Sequence, residues 1–111
     1  MATRTLPRDE YERFFDRVSR TLHGRRVQIE VASLALGDQI EANWIELTGI
    51  TYEPGSDTLY ITGPDLDHII RQPKTVDVVE GAGGLETVHV RRSDDTDEII
   101  RLSEPLMLPE H

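Results

Sequence analysis

No cysteine occurs among the 111 residues, which excludes disulfides, thiolate metal sites and a cysteine nucleophile. Aromatic residues are scarce as well: one Trp, three Tyr and two Phe leave a core to be built from Val, Ile and Leu. No apolar run approaches the ~18 residues of a membrane span. Met1-Ala2-Thr3-Arg4-Thr5-Leu6-Pro7 lacks the apolar stretch of a secretory signal. Together these absences set the expectation of a cytoplasmic protein that meets no membrane. Lysine is nearly missing, with Lys74 alone beside eleven Arg.

Acids dominate what remains. The formal charge of −9 argues against a general affinity for nucleic acid or anionic lipid. Its distribution is uneven: residues 1–26 hold seven Arg against four acids, and residues 27–111 hold five basic residues against seventeen acids. Two readings follow, solvated faces of opposite sign or a basic helix docked on an acidic surface, its own or a neighbour's.

The length suits one domain, 1–111, with one core. Tyr11, Phe14, Phe15, Val18 and Leu22 lie at spacings of 3, 4, 7 and 11 from the first, one apolar stripe on a helix. Thr5 or Leu6 sits at the cap, Pro7 suits the first turn, and Gly24 supplies a left-handed stop. The helix is predicted at about 7–22. After Gly24 the period changes from 3.6 to 2, and Val27, Ile29 and Val31 alternate with polar or small residues as in a half-buried strand.

Residues 34–43, with Gly37-Asp38, read as a connection whose Leu34, Leu36 and Ile40 cover part of the core. The strongest hairpin runs from Trp44 to Tyr52, turns through Glu53-Pro54-Gly55-Ser56-Asp57 and returns through Thr58–Thr62. A bulge at Gly49 is needed to bring Ile45, Leu47, Ile50 and Tyr52 to one face. Further strands are expected at Leu66–Arg71, at Val76–Val79, at Leu85–Val90 after the Gly81-Ala82-Gly83-Gly84 turn, and at Glu98–Leu102. The strands thus fall within 26–102, and an extended tail, 103–111, has Leu106 or Leu108 pinned on the body. The fold class is α+β: an N-terminal helix followed by a curled, mostly antiparallel sheet or a small, partly open β-barrel.

Several pieces share their layout with known proteins: Leu6-Pro7-Arg8, Glu30-Val31, Leu47-Thr48-Gly49-Ile50-Thr51-Tyr52, His68-x-Ile70-x-x-Pro73-x-x-Val76 and the Gly-rich hairpin. From Leu6 to Leu102 this layout resembles a family of short bacterial proteins known only as a domain of unknown function. The resemblance implies no activity and transfers no functional residue. A second likeness, through Gly49-Ile50-Thr51-Tyr52 to Asp57 and Leu59-Tyr60-Ile61, is to the Sm-like fold, a helix followed by a curled five-stranded sheet. The net negative charge removes the usual reason for such a fold to hold RNA.

Chemistry has few candidates. Asp65, Asp67 and His68 place two carboxylates and an imidazole within four residues, donors suited to a divalent metal. The same Asp residues follow Gly63-Pro64, where Asp also serves to bond turn amides. Asp94, Asp95, Asp97 and Glu98 form the densest acidic run, with Arg91 and Arg92 placed to neutralise it across a hairpin. His23, His68, His89 and His111 show no pairing pattern, and His89 falls on the solvent side of its strand. No serine-hydrolase elbow and no phosphate loop is present, so neither an enzyme nor a cofactor is expected.

The reading that follows is a non-enzymatic interaction or assembly module that binds a protein partner or itself, with Leu106, Met107 and Leu108 of the tail as contact residues and a homodimer as one form. The alternative is a small-ligand or divalent-metal-binding domain using residues 63–73.

Overall fold

A computed structural model describes residues 2–22 and 24–108; His23, Pro109 and His111, which entered the sequence reading, lie outside them. The described elements are β1 (Ala2–Thr5), a 3-10 turn (Arg8–Glu10), α1 (Tyr11–Ser19), β2 (Arg26–Ser33), β3 (Gly37–Glu46), β4 (Gly49–Glu53), β5 (Thr58–Gly63), β6 (Leu66–Arg71), β7 (Pro73–Gly81), β8 (Gly84–Arg92) and β9 (Asp97–Leu106). They build two sheets, one of six strands in the order β1-β7-β8-β9-β2-β3 and one of three in the order β4-β5-β6, and each pairing within them is antiparallel. The α+β class and the antiparallel pairing agree with the sequence reading. The single five-stranded sheet of the Sm-like likeness does not describe these nine strands.

The apolar stripe of α1 does what its spacing dictates: Tyr11, Phe14, Phe15 and Val18 are all buried. The helix packs on β4, where the Tyr11 and Tyr52 rings meet edge to face at 5.2 Å. It is shorter than the expected 7–22. At its start Pro7 is extended (ψ 145°), and Arg8 reaches across to donate to Asp57 Oδ1 (2.8 Å) and to the Pro73 carbonyl (2.7 Å). At its end the Ser19 hydroxyl both donates to the Ile50 carbonyl (2.7 Å) and accepts from the Ile50 N–H (2.9 Å). The chain then tightens through short-range bonds, Arg20 N–H to Arg17 O and Thr21 N–H to Val18 O, which brings Leu22 into the core. Gly24 does take the left-handed conformation (φ 68°), five residues beyond the last helical one, in the turn before β2.

Four other expectations are corrected. A strand, β1, precedes the helix and pairs with β7; its residues, Ala2-Thr3-Arg4-Thr5, carry no apolar alternation to announce it. The Gly49 irregularity is not a bulge within one strand but a change of sheet. Leu47 N–H bonds the Arg25 carbonyl at the end of the large sheet, and Thr48 N–H bonds the Thr62 carbonyl of the small one. This switch lets Ile45 and Leu47 belong to a different register from Ile50 and Tyr52. The sheets come so close here that a Cβ on Gly63 would run into the Glu46 carbonyl, so only glycine fits. Finally, residues 37–46 are a strand, and 103–106 continue β9 rather than starting a tail.

The core lies between the inner faces of the two sheets and α1. Val27, Ile29, Val76, Val78, Val88, Val90 and Ile100 come from the large sheet, and Ile50, Leu59, Ile61 and Ile70 from the small one.

Candidate functional site

Strand alternation decides the fate of the metal candidates. On β6, Leu66, His68 and Ile70 turn inward while Asp67 and Ile69 turn out, because successive side chains of a strand point to opposite faces. Asp67 and His68 therefore diverge, and Asp65 stays in the preceding turn, exposed. Among the described residues no group of three His, Asp or Glu side chains is arranged to hold a metal ion.

His68 instead finds a partner thirty residues away. Its Nε2 lies 2.5 Å from Glu98 Oε1, and Glu98 Oε2 accepts from Arg92 Nη1 at 3.1 Å. Glu98 is fully buried on the inner face of β9, beside Val31 and Val90 in the register. This buried carboxylate joins the two sheets, since His68 belongs to the small one and Arg92 and Glu98 to the large one. Its neighbours in sequence face outward: Arg91 makes two bonds to Asp97 (2.9 and 3.2 Å), and His89 Nε2 lies 3.2 Å from Asp97. The expected cross-strand neutralisation is thus present on both faces of the β8–β9 hairpin. The Arg91 hydrogen bond, helped by His89, holds the Asp97 carboxyl below its usual range; the Arg92 hydrogen bond and the Thr96 amide do the same for Asp94. All of this is structural bonding.

The tail residues also divide. Leu106 is fully buried, opposite Leu85 in the register, and Leu108 packs partly against the core. Met107 alone faces solvent.

The feature that bonding does not explain is the β2–β3 hairpin. Leu34 stands wholly in solvent, Leu36 and Ile40 are 72% and 52% exposed, and Trp44 39%. The expectation that Leu34, Leu36 and Ile40 cover the core is therefore overturned: the hairpin projects beyond the sheet and turns them outward. β3 is the last strand of the large sheet, so one row of its N–H and C=O groups has no neighbouring strand. From Gly37 to Ile40 it pairs with β2 without interruption, and beyond that Glu41 and Trp44 are extra residues in two bulges. Trp44 takes a left-handed conformation (φ 58°), uncommon and strained for so bulky a side chain.

Side chains hold two of the other edge strands in place. Arg4 and Thr5 of β1 are tied to Glu80 and Asp77 across the pair, at 2.9 and 2.5 Å. β4 is covered by α1 through Ser19. β3 carries Asp38, Glu41 and Glu46 and no basic residue. Arg101 bonds Glu30 (2.9 Å) and holds its carboxyl below the ordinary range, while Glu30 in turn makes Asp38 hold its proton more firmly than usual. Sequence reasoning missed this surface because Leu34, Leu36 and Ile40 look like core residues in any composition count; the one cue was their position around Gly37-Asp38, a turn signal.

A family model described as a family of unknown function (DUF5335) matches residues 2–111. An uncharacterized protein of Aquifex aeolicus (strain VF5) is 35% identical over 111 residues, covering 99% of this chain and all of that protein. No solved structure matches the chain significantly. Among the described residues no helix is long and apolar enough to cross a membrane.

Proposed function

This chain belongs to the DUF5335 family of unknown function, and from that premise we propose that it is a non-enzymatic, cytoplasmic interaction module that recognises another polypeptide through the β2–β3 hairpin and the free edge of β3. One observation carries the reading: four large apolar side chains, Leu34, Leu36, Ile40 and Trp44, are exposed on the edge strand β3 and the turn that leads into it. Scattered surface apolar residues are ordinary, but a run of them beside unpaired strand groups favours strand addition by a partner. The tail is the weaker contact candidate, since Leu106 is fully used in the core.

The test is a photo-crosslinking residue placed at Ile40 in the native host, with Thr3 on the β1 edge as control. The expected result is a discrete polypeptide adduct from position 40 and none from position 3. Equal, diffuse labelling from both positions, or no adduct from either, would contradict the proposal.

A further inference from the structure

The charge around the hairpin selects its occupant. β3 carries three acids, and Asp94, Asp95 and Asp97 of the neighbouring β8–β9 turn extend the same field. The bases nearby are already engaged: Arg91 by Asp97, Arg92 by both Asp94 and Glu98, Arg101 by Glu30, and Arg26, opposite Glu46 in the register, by the Trp44 carbonyl. Lys74 stands 3.8 Å from Asp95, a loose pairing between two exposed groups. Asp38 has a carboxylate, Glu30, for its neighbour.

Leu34 separates two open grooves, each with apolar lining, one arginine and a larger number of acids. One, of about 350 Å³, runs past Ala32, Leu34, Asp38, Arg91, Asp95 and Asp97. The other, of about 410 Å³, runs past Leu34, Leu36, Arg92, Asp94, Asp95 and Thr96. Such a groove suits a side chain with an apolar stem and a cationic head, since Lys and Arg lay their methylenes on apolar surface and keep the charge in water.

A second copy of the chain fits poorly. Edge-to-edge pairing of two copies would bring together bodies that each carry −9, with Asp38 in the paired stretch of both. Like charges facing each other across a strand pair are destabilising.

Resting on the interaction reading above, we infer that the occupant is a short extended segment of a partner protein in which Lys or Arg alternates with apolar residues, added as a strand along Gly37–Ile40 with its basic side chains in the grooves beside Leu34. The bulges at Glu41 and Trp44 limit the regular pairing to those four residues, so the recognised segment is short.

The experiment is selection from a random short-peptide library on the full chain. Binding of the enriched peptides is then followed by the emission of Trp44, the chain's one tryptophan. The expected result is enrichment of peptides alternating basic and apolar residues, bound more weakly as salt rises. Asp38→Asn and Asp95→Asn should each weaken them by about two- to fivefold. Asparagine tolerates the left-handed backbone at position 95 (φ 65°). Ile40→Ser should remove binding while leaving the melting temperature unchanged, because that side chain is exposed.

Enriched peptides without basic residues, or binding indifferent to salt and to both Asn variants, would overturn the inference and leave the interaction reading standing. So would a full-length dimer in sedimentation that Ile40→Ser disperses, which would make a second copy the occupant. A monomer that enriches no peptide would also overturn the inference. Only if the Ile40 crosslink is silent as well does the interaction reading fall with it.

Discussion

At the scale of single residues, Glu98 has the highest energetic stake. A carboxylate without solvent exposure is tolerated only when its oxygens are paired, and here His68 and Arg92 take one each. Removing it leaves the His68 imidazole without this partner, while Arg92 keeps Asp94, and the residual exposure of the two side chains, 19% and 31%, softens the loss. Glu98→Ala should lower unfolding free energy by about 2–3 kcal/mol. Glu98→Gln, which keeps the shape and one acceptor, should cost less. Urea titration measures both, and a loss below ~1 kcal/mol for the alanine variant would mean that the network does not hold the sheets together. The Glu98 pairing was not legible in sequence. Alternation separates Asp97 from Glu98 and Arg91 from Arg92, but nothing local announces that an inward acid will meet a histidine from another sheet. Trp44 and Glu98 differ in kind: the structure uses Glu98 fully, whereas the strained Trp44 backbone supports an exposed ring, the pattern expected where a contact is made with something outside the chain.

At the scale of elements, the sequence pattern was informative wherever one face is buried. The α1 stripe, the alternation of β2 and the turns of the β4–β5, β7–β8 and β8–β9 hairpins were all legible, because each couples a periodic apolar face to turn chemistry. β1 and β3 were not, for the same physical reason: an edge strand with both faces near solvent has no alternation to read. The end of β9 is intermediate. Its Ser103-Glu104-Pro105 stretch looks like a tail, yet Leu106 fills a core position opposite Leu85. Removal of residues 104–111 should therefore lower stability, by about 3 kcal/mol if Leu106 behaves as a fully buried leucine lost to a cavity, with no change in association state. Denaturant melts and light scattering on both chains check this. Truncation that turns a dimer into a stable monomer would return the contact role to the tail.

At the scale of the whole molecule, the opposite fields of the two ends of the chain meet internally. Arg4 pairs with Glu80, Arg8 with Asp57 and Arg25 with Glu104. These pairs do not consume the excess of acids, part of which lies along β3. Exposed like charges repel over ~30 Å at 0.01 M salt and ~10 Å at 0.1 M. Stability should accordingly rise as salt is added through that range. A flat or falling curve would show that the N-terminal arginines already neutralise the sheet.

The acidic β3 edge bears on the central claim, that this strand is left open for a partner's strand. Amide hydrogen exchange tests it most directly. In the isolated chain the outward-facing amides of Gly37–Ile40 should exchange rapidly, and saturating basic peptide should protect those amides and leave the β1 and β6 edges unchanged. Protection of 37–40 already present in the free chain at every concentration, or new protection appearing only at another edge, would contradict the account.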